Sequence, residues 1–262
     1  MTQPKARPPI GRIVVLIPTY NERENISLIV SRLRAAVPEA DVLVLDDDSP
    51  DGTGAVADRL AADDSQVRVL HRTSKEGLGM AYLAGFARAL ERGYDVMVEM
   101  DADGSHQPEQ LWSLLLALAD ADVVLGSRWV HGGSVVNWPL HRKVLSLGGN
   151  LYVRVLLGMP ISDATGGFRA YRGSALRTLD LEQVASQGYC FQVDLVWRAI
   201  RAGLTVVEVP ITFVERTIGD SKMSHDIVNE SLRSITVWGA RYRLGQVRSI
   251  LHREPRWHRL DA

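Results

Sequence analysis

The sequence predicts an α/β domain: a mostly parallel central sheet with helices on both faces. Three observations lead there. Short, continuous apolar and β-branched runs recur along the first half, as expected for strands buried on both faces. Segments of helical periodicity separate them, and that alternation is the pattern of a parallel sheet. Polar and acidic clusters fall just where the apolar runs end, where sheets of this class bind ligands.

The elements follow in order. Ile13-Val14-Val15-Leu16-Ile17 is the first strand, and it stops at Pro18-Thr19-Tyr20-Asn21-Glu22. Ile26, Ile29, Val30 and Leu33 mark the first helix. Val42 to Leu45 is the second strand, ending in Asp46-Asp47-Asp48-Ser49-Pro50-Asp51-Gly52-Thr53. A helix from about Thr53 to Ala62, a strand Val67–Leu70, a helix from Gly77 through Leu90 and a strand Val96–Met100 follow. A further helix covers Glu109 to Leu118 and a fifth strand Val123–Gly126, closing on Ser127-Arg128-Trp129. Gly77 and Gly79 follow the wrong strand for a dinucleotide fingerprint, so they are helix-entry punctuation.

Composition bounds the function. The chain has 262 residues, 46% hydrophobic and 23% charged, which suits a globular protein with a sizeable core. A formal net charge of −1 argues against nucleic acid as a general partner. The single cysteine, Cys190, excludes an internal disulfide framework and suits a reducing compartment. No apolar run approaches the ~20 residues that span a bilayer. Residues 1–12 form a basic, proline-containing lead-in without an apolar h-region, expected to be disordered.

The chain is organised around Val96-Met97-Val98-Glu99-Met100-Asp101-Ala102-Asp103-Gly104-Ser105-His106-Gln107-Pro108. Side chains two apart on extended backbone point the same way. Asp101 and Asp103 can therefore face one point beyond a buried strand, where two carboxylates repel unless a cation sits between them. A divalent-metal site and a polar turn with a capping Asp are both compatible with this pattern alone.

Pro18–Glu22, Asp46–Thr53 and Asp101–His106 together resemble the family-2 inverting glycosyltransferases of GT-A fold, most closely the dolichyl/polyprenyl-phosphate mannosyltransferases. The resemblance covers about Ile13 to Ser224. It implies a GT-A nucleotide-sugar-binding domain over residues 13–225 that moves mannose from GDP-mannose to a polyprenyl monophosphate with inversion. UDP-glucose as donor, and a non-catalytic nucleotide-binding scaffold, are the competing readings. By this resemblance Pro18, Tyr20 and Glu22 line the nucleoside pocket with Val44 and Asp46, and Asp101, Ala102 and Asp103 are substrate-binding, the two acids through a metal that bridges the diphosphate. Asp101 and Asp103, with Ser105 where relatives use Gln, would hold Mg2+ or Mn2+. Catalysis would rest on Asp103, Arg128 and Arg142, the two arginines clamping the acceptor phosphate. For Arg142, an exposed arginine at a helix start is the alternative. His106 is expected to open a helix or support the site.

The second half carries further motifs. His131–Ser134 is a loop, and a helix runs from Trp138 to about Leu157. Ser162-Asp163-Ala164-Thr165-Gly166-Gly167-Phe168-Arg169-Ala170-Tyr171 resembles the family's D-x-[ST]-x-G-F-R segment, with Phe168 and Tyr171 expected in the core. Tyr189–Ile200 is a helix whose Asp194 reads as a positioning group, and Val206–Ile211 is a strand. Val214–Met223 resembles the family's R-x-x-G-x-S-K loop, whose Arg216 and Lys222 would close over the diphosphate. Residues 226–262 interleave apolar residues with Arg233, Arg241, Arg243, Arg248 and Arg253, as in a basic amphipathic helix. Such a helix suits an anionic membrane surface or a membrane-spanning partner. The expected location is peripheral, at the cytoplasmic face of the membrane.

Overall fold

In the computed structural model the strands lie in two sheets, and residues 9–181, 184, 189–216, 232–240 and 243–244 are described. The larger sheet has seven strands. They are β1 (Ile13–Thr19), β2 (Ala40–Asp46), β3 (Val67–His71), β4 (Val96–Glu99), β5 (Val123–Ser127), β7 (Arg169–Arg172) and β8 (Val206–Pro210), in the order β3-β2-β1-β4-β7-β5-β8. All neighbouring pairs are parallel except those of β7, which runs antiparallel to β4 and β5. A second sheet pairs β6 (Ser134–Val136) with β9 (Thr212–Val214) in parallel.

The apolar runs are continuous because each strand feeds two cores. Val14 and Leu16 face one layer with α3 (Leu78–Glu91), α5 (Leu140–Leu157), α6 (Gly173–Thr178) and α7 (Tyr189–Arg201). Ile13, Val15 and Ile17 face the other, with α1 (Ile26–Ala36), α2 (Thr53–Asp63) and α4 (Leu111–Ala117). Alternation along an extended chain is what divides them.

Strand order turns back at β1, which lies between β2 and β4. The carboxyl ends of these three strands carry Thr19, Asp46 and Asp101, so the polar clusters meet at the switch point. Strands β6, β7 and β9 were not expected from the sequence. In β7 the cause is chemical: buried Arg169 and Arg172 replace the apolar pattern. Arg169 donates to the carbonyls of Gly166, Ala164 and Gln192, and Arg172 to those of Leu118 and Ala121. Their charged ends satisfy backbone that would otherwise be buried unpaired.

The expected helix after Glu109 begins as a 3-10 turn, Pro108–Gln110, before α4. Of the expected C-terminal helix, 232–240 and 243–244 are described and are helical; the rest lies outside the described residues. Among the described residues no helix is long and apolar enough to cross a membrane.

Candidate active site

The first two loops are stitched together by short polar side chains. Asn21 donates its N–H to Ser49 Oγ (3.2 Å), Glu22 to Thr53 Oγ1 (2.9 Å) and Arg23 to Asp51 Oδ2 (3.1 Å). Asp51 Oδ1 accepts the Thr53 N–H at the start of α2, so this acid builds the turn. Asp46 is buried and accepts from Ser49 Oγ (2.6 Å) and Thr19 Oγ1 (3.3 Å). Tyr20 lies under the Lys75 ammonium, which sits 4.1 Å from its ring centre. Pro18 is partly buried beside it in sequence; Val44 and Ala102 are buried, and Val44 belongs wholly to the apolar core. What Val44 and Ala102 could offer a ligand is therefore backbone.

Among the described residues, the non-glycine positions with positive φ are Asn21 (58°), Asp48 (54°) and Asn137 (61°). All three stand in loops that leave strands, Asn21 after β1, Asp48 after β2 and Asn137 after β6. Left-handed backbone is costly for most side chains and least so for Asn and Asp. Such residues concentrate where a loop must be held in one functional shape.

The acid pair is supported from below. His106 is buried, stacks on Phe168 (ring centres 5.1 Å apart) and accepts the Asp101 N–H at Nδ1 (3.1 Å). Its Nδ1 is therefore bare and its proton resides on Nε2. Burial pushes the imidazole below its ordinary pKa, the nearby carboxylates opposing. Asp103 Oδ1 accepts the Ser105 N–H (3.0 Å), and Arg216 pairs with Asp103 Oδ2 (3.1 Å). Burial works against ionisation of Asp103, but Ser105 and the Arg216 charge outweigh it and hold that carboxyl below the usual range. Asp101 moves the other way, pushed up by burial, with the Asp103 charge adding to the rise against His106. Two like charges divided in this manner are what a cation between them would relieve.

The donor chemistry fits a hard divalent ion. Two carboxylates are joined by Ser105 Oγ, which is buried, stands near the Asp103 carboxylate and makes no well-formed hydrogen bond. Oxygen ligands of this kind suit Mg2+ or Mn2+ completed by phosphate and water. Gly167 borders the pair: a Cβ there would make ordinary contacts, 3.4 Å from His106 Cε1 and 3.6 Å from Asp101 Oδ2.

Arg128 and Arg142 are brought together by an aromatic residue that sequence reading did not single out. Trp138 lies 4.3 Å from the Arg142 guanidinium carbon and 5.3 Å from that of Arg128, measured to its ring centre. Arg142 also pairs with Glu215. Arg128 is clamped by Asp163, which accepts its Nε (2.7 Å), Nη2 (2.6 Å) and backbone N–H (2.9 Å). Asn150 and Thr165 complete that buried cluster. Phe213 joins the halves, packing edge-on to both His106 and Trp138. The Val214 N–H donates to the Ser105 carbonyl (3.1 Å), which sets Arg216 over Asp103. Of the expected site residues, Lys222 lies outside the described residues.

Asp163, Glu215, Trp138 and Phe213 escaped residue-level assignment. Asp163 had a signal, as the acid of the segment preceding the paired glycines. The other three become visible only when β6, β9 and the start of α5 are brought together.

The acid pair and the flanking arginines lie at the switch-point end of an α/β sheet of GT-A type. Residues 14–180 match the model of glycosyl transferase family 2, and the chain belongs to that family and is a glycosyltransferase. It is 60% identical over 228 residues, 87% of this chain and 94% of the relative, to an undecaprenyl-phosphate mannosyltransferase of Micrococcus luteus. It is 58% identical over 245 residues, 93% of this chain and 92% of the relative, to a polyprenol monophosphomannose synthase of Mycolicibacterium smegmatis. Among solved structures it resembles glucosyl-3-phosphoglycerate synthase of Mycobacterium tuberculosis in complex with Mn2+ and UDP. There the TM-score is 0.63 at 20% identity, over 89% of this chain and 80% of that one. The last likeness concerns the fold.

Proposed function

We propose that the chain transfers mannose from GDP-mannose to a polyprenyl monophosphate with inversion, releasing GDP and a β-linked polyprenyl phosphomannose. The observation that carries the acceptor reading is the stack of Arg128, Trp138 and Arg142, which Phe213 links to His106 beside the acid pair. A sugar hydroxyl acceptor needs a free carboxylate base. The carboxylates beside these arginines, Asp163 and Glu215, are ion-paired with them instead. A phosphate monoester is largely dianionic near neutral pH, its second pKa being ~6, and is already nucleophilic. It needs cations that aim it, which a stacked guanidinium pair supplies. The lipid-phosphate acceptors in the names of the two close relatives support the same reading.

On the donor side, Tyr20, Glu22 and Asp46 would bind the nucleoside, with Pro18, Val44 and Ala102 contributing backbone. Asp101, Asp103 and Ser105 would hold Mg2+ or Mn2+. A divalent cation there supplies positive charge to the departing diphosphate. Arg216 would leave Asp103 for the diphosphate as donor binds, joined by Lys222. The acceptor phosphate would then attack the anomeric carbon opposite the GDP oxygen, one C–O bond forming as the other breaks.

The test is incubation with labelled GDP-mannose, polyprenyl phosphate and Mg2+ or Mn2+, followed by extraction of the lipid product. Label should enter the organic phase and vanish with chelator. Transfer from UDP-glucose in preference to GDP-mannose would overturn the donor, and transfer in chelator would overturn the metal site.

A further inference from the structure

We propose that His71 is a positioning residue for the donor's nucleoside, an assignment that rests on the nucleoside reading of Asp46 above. Its ring bridges buried Asp46 to Asp58, so that donor affinity falls as pH rises past neutrality. His71 ends β3, and strand pairing sets it level with Asp46 at the end of β2. Its Nε2 lies 2.8 Å from Asp58 Oδ1 on α2, and its Nδ1 lies 3.7 Å from Asp46 Oδ2. Two strands and a helix thus place one imidazole between two carboxylates. Room for the pair is built into α2. A Cβ at Gly54 would stand 2.7 Å from Asp46 Oδ2 and 3.2 Å from His71 Cε1, so the helix packs this closely only with glycine there.

Hydrogen-bond chemistry makes the charge of the ring matter. Asp46 Oδ1 is taken by Ser49 and Thr19, while Oδ2 faces His71. An ionised carboxylate only accepts, so the proton facing Asp58 belongs to Nε2. What Nδ1 carries then decides how Asp46 is held. A neutral ring turns a bare lone pair on Oδ2; an imidazolium turns an N–H and a positive charge on it. The hydrogen bond to Asp58 and the charges of Asp58 and Asp46 favour the imidazolium against burial, and they raise the His71 pKa above its ordinary 6.5. These two acids are the charged groups that face the ring, from α2 and β2. The neighbouring Arg72 turns to Asp47 (2.5 Å) and Glu76 (2.6 Å) instead. Below the raised pKa both Asp46 oxygens are held, and the acid meets the N–H groups of a base in one orientation. Above it Oδ2 is released, and binding must also order the carboxylate.

Binding of GDP-mannose to the full chain, with Mg2+ and without acceptor, is measured by calorimetry from about pH 5.5 to 8.5. The diphosphate of this donor is esterified at both ends and does not titrate in that range. UDP-glucose is titrated in parallel, and the tighter donor is carried through the variants. Wild-type affinity should fall about fivefold along a limb above pH 6.5. His71→Gln should bind about fivefold more weakly at the acid end and lose the limb. Asp58→Asn should keep the limb and move it to lower pH, because the largest cause of the raised pKa is gone. A role in folding alone would lower the melting point and leave the limb in place. A wild type without the limb, a limb retained in His71→Gln, or one that Asp58→Asn does not move would overturn the proposal. Asp46→Asn separates the two readings. If it binds donor as tightly as wild type, or if wild type binds neither donor, the nucleoside reading fails and the role of His71 with it. If it weakens binding while His71→Gln keeps the wild-type profile, the role of His71 alone fails.

Discussion

Replacing Asp163 by Asn keeps the shape of the side chain and removes its charge from beneath Arg128. Asp163 is fully buried and Arg128 nearly so, and the carboxylate accepts three hydrogen bonds from Arg128 alone, at 2.6–2.9 Å. At an effective dielectric of ~20, a charge pair at ~4 Å is worth about 4 kcal/mol, and these atoms are closer. Removing one partner of a buried pair leaves the other uncompensated, at a typical cost of about 3–5 kcal/mol. That translates to a melting point lower by roughly 6–20 °C for a chain near this size. The pH dependence has a definite sign. Burial raises the Asp163 carboxyl, but the Arg128 charge and hydrogen bonds outweigh it, so its folded pKa lies below its unfolded value. Its stabilisation is therefore complete above the ordinary carboxylate range and is lost as pH falls through the lowered folded pKa. Asp163→Asn should flatten that acid limb in denaturation curves measured from pH 2 to 7. Acceptor kcat/KM should fall at least about tenfold, because Arg128 loses the group that aims it. The pair Asp163→Leu/Arg128→Leu should recover stability without recovering turnover. An Asp163→Asn protein within about 1 kcal/mol of wild type and fully active would refute this account of Arg128.

Three further outcomes are expected. Asp103→Asn should leave the fold intact and reduce kcat/KM by about a hundredfold or more, with Mn2+ binding in the presence of donor lost by calorimetry. Unchanged turnover at saturating donor would contradict the cation site. Trp138→Leu should raise the acceptor KM several-fold while sparing donor KM, because it removes the surface that spaces Arg128 and Arg142; each contact is worth about 0.5–2 kcal/mol. An equal change in both KM values would argue against that role. Glu99 is buried on β4, and burial pushes its carboxyl up to about 8, with Arg169 opposing. The native state thus holds a proton that the unfolded chain releases above about 4.5, so wild-type stability declines as pH rises from there to about 8. Glu99→Gln, measured with chelator present, should remove that slope and gain up to about 3 kcal/mol at pH 7. A slope unchanged in the variant would show that another group causes it.

Strands β1 to β5 were legible because each is an apolar run needing cover on both faces, a requirement written in composition. The acid clusters were legible because strand ends are where such sheets gather ligands. Strand β7 was hidden because Arg169 and Arg172 sit where an apolar pattern was sought, each satisfying carbonyls contributed by distant segments. Helix α5 was visible as a helix, but its periodicity alone could not tell which apolar positions face the core and which face out.

What the sequence determined unaided is the layered α/β plan and the acid pair at a strand end, since local spacing and alternation suffice for both. Only the tertiary structure decided which partners neutralise which charges. Asp163 beneath Arg128, Glu215 beside Arg142 and Arg216 over Asp103 join residues 35, 73 and more than a hundred positions apart. Electrostatic pairing depends on distance in space, and no local pattern encodes contacts that arise only when the sheet closes around its switch point.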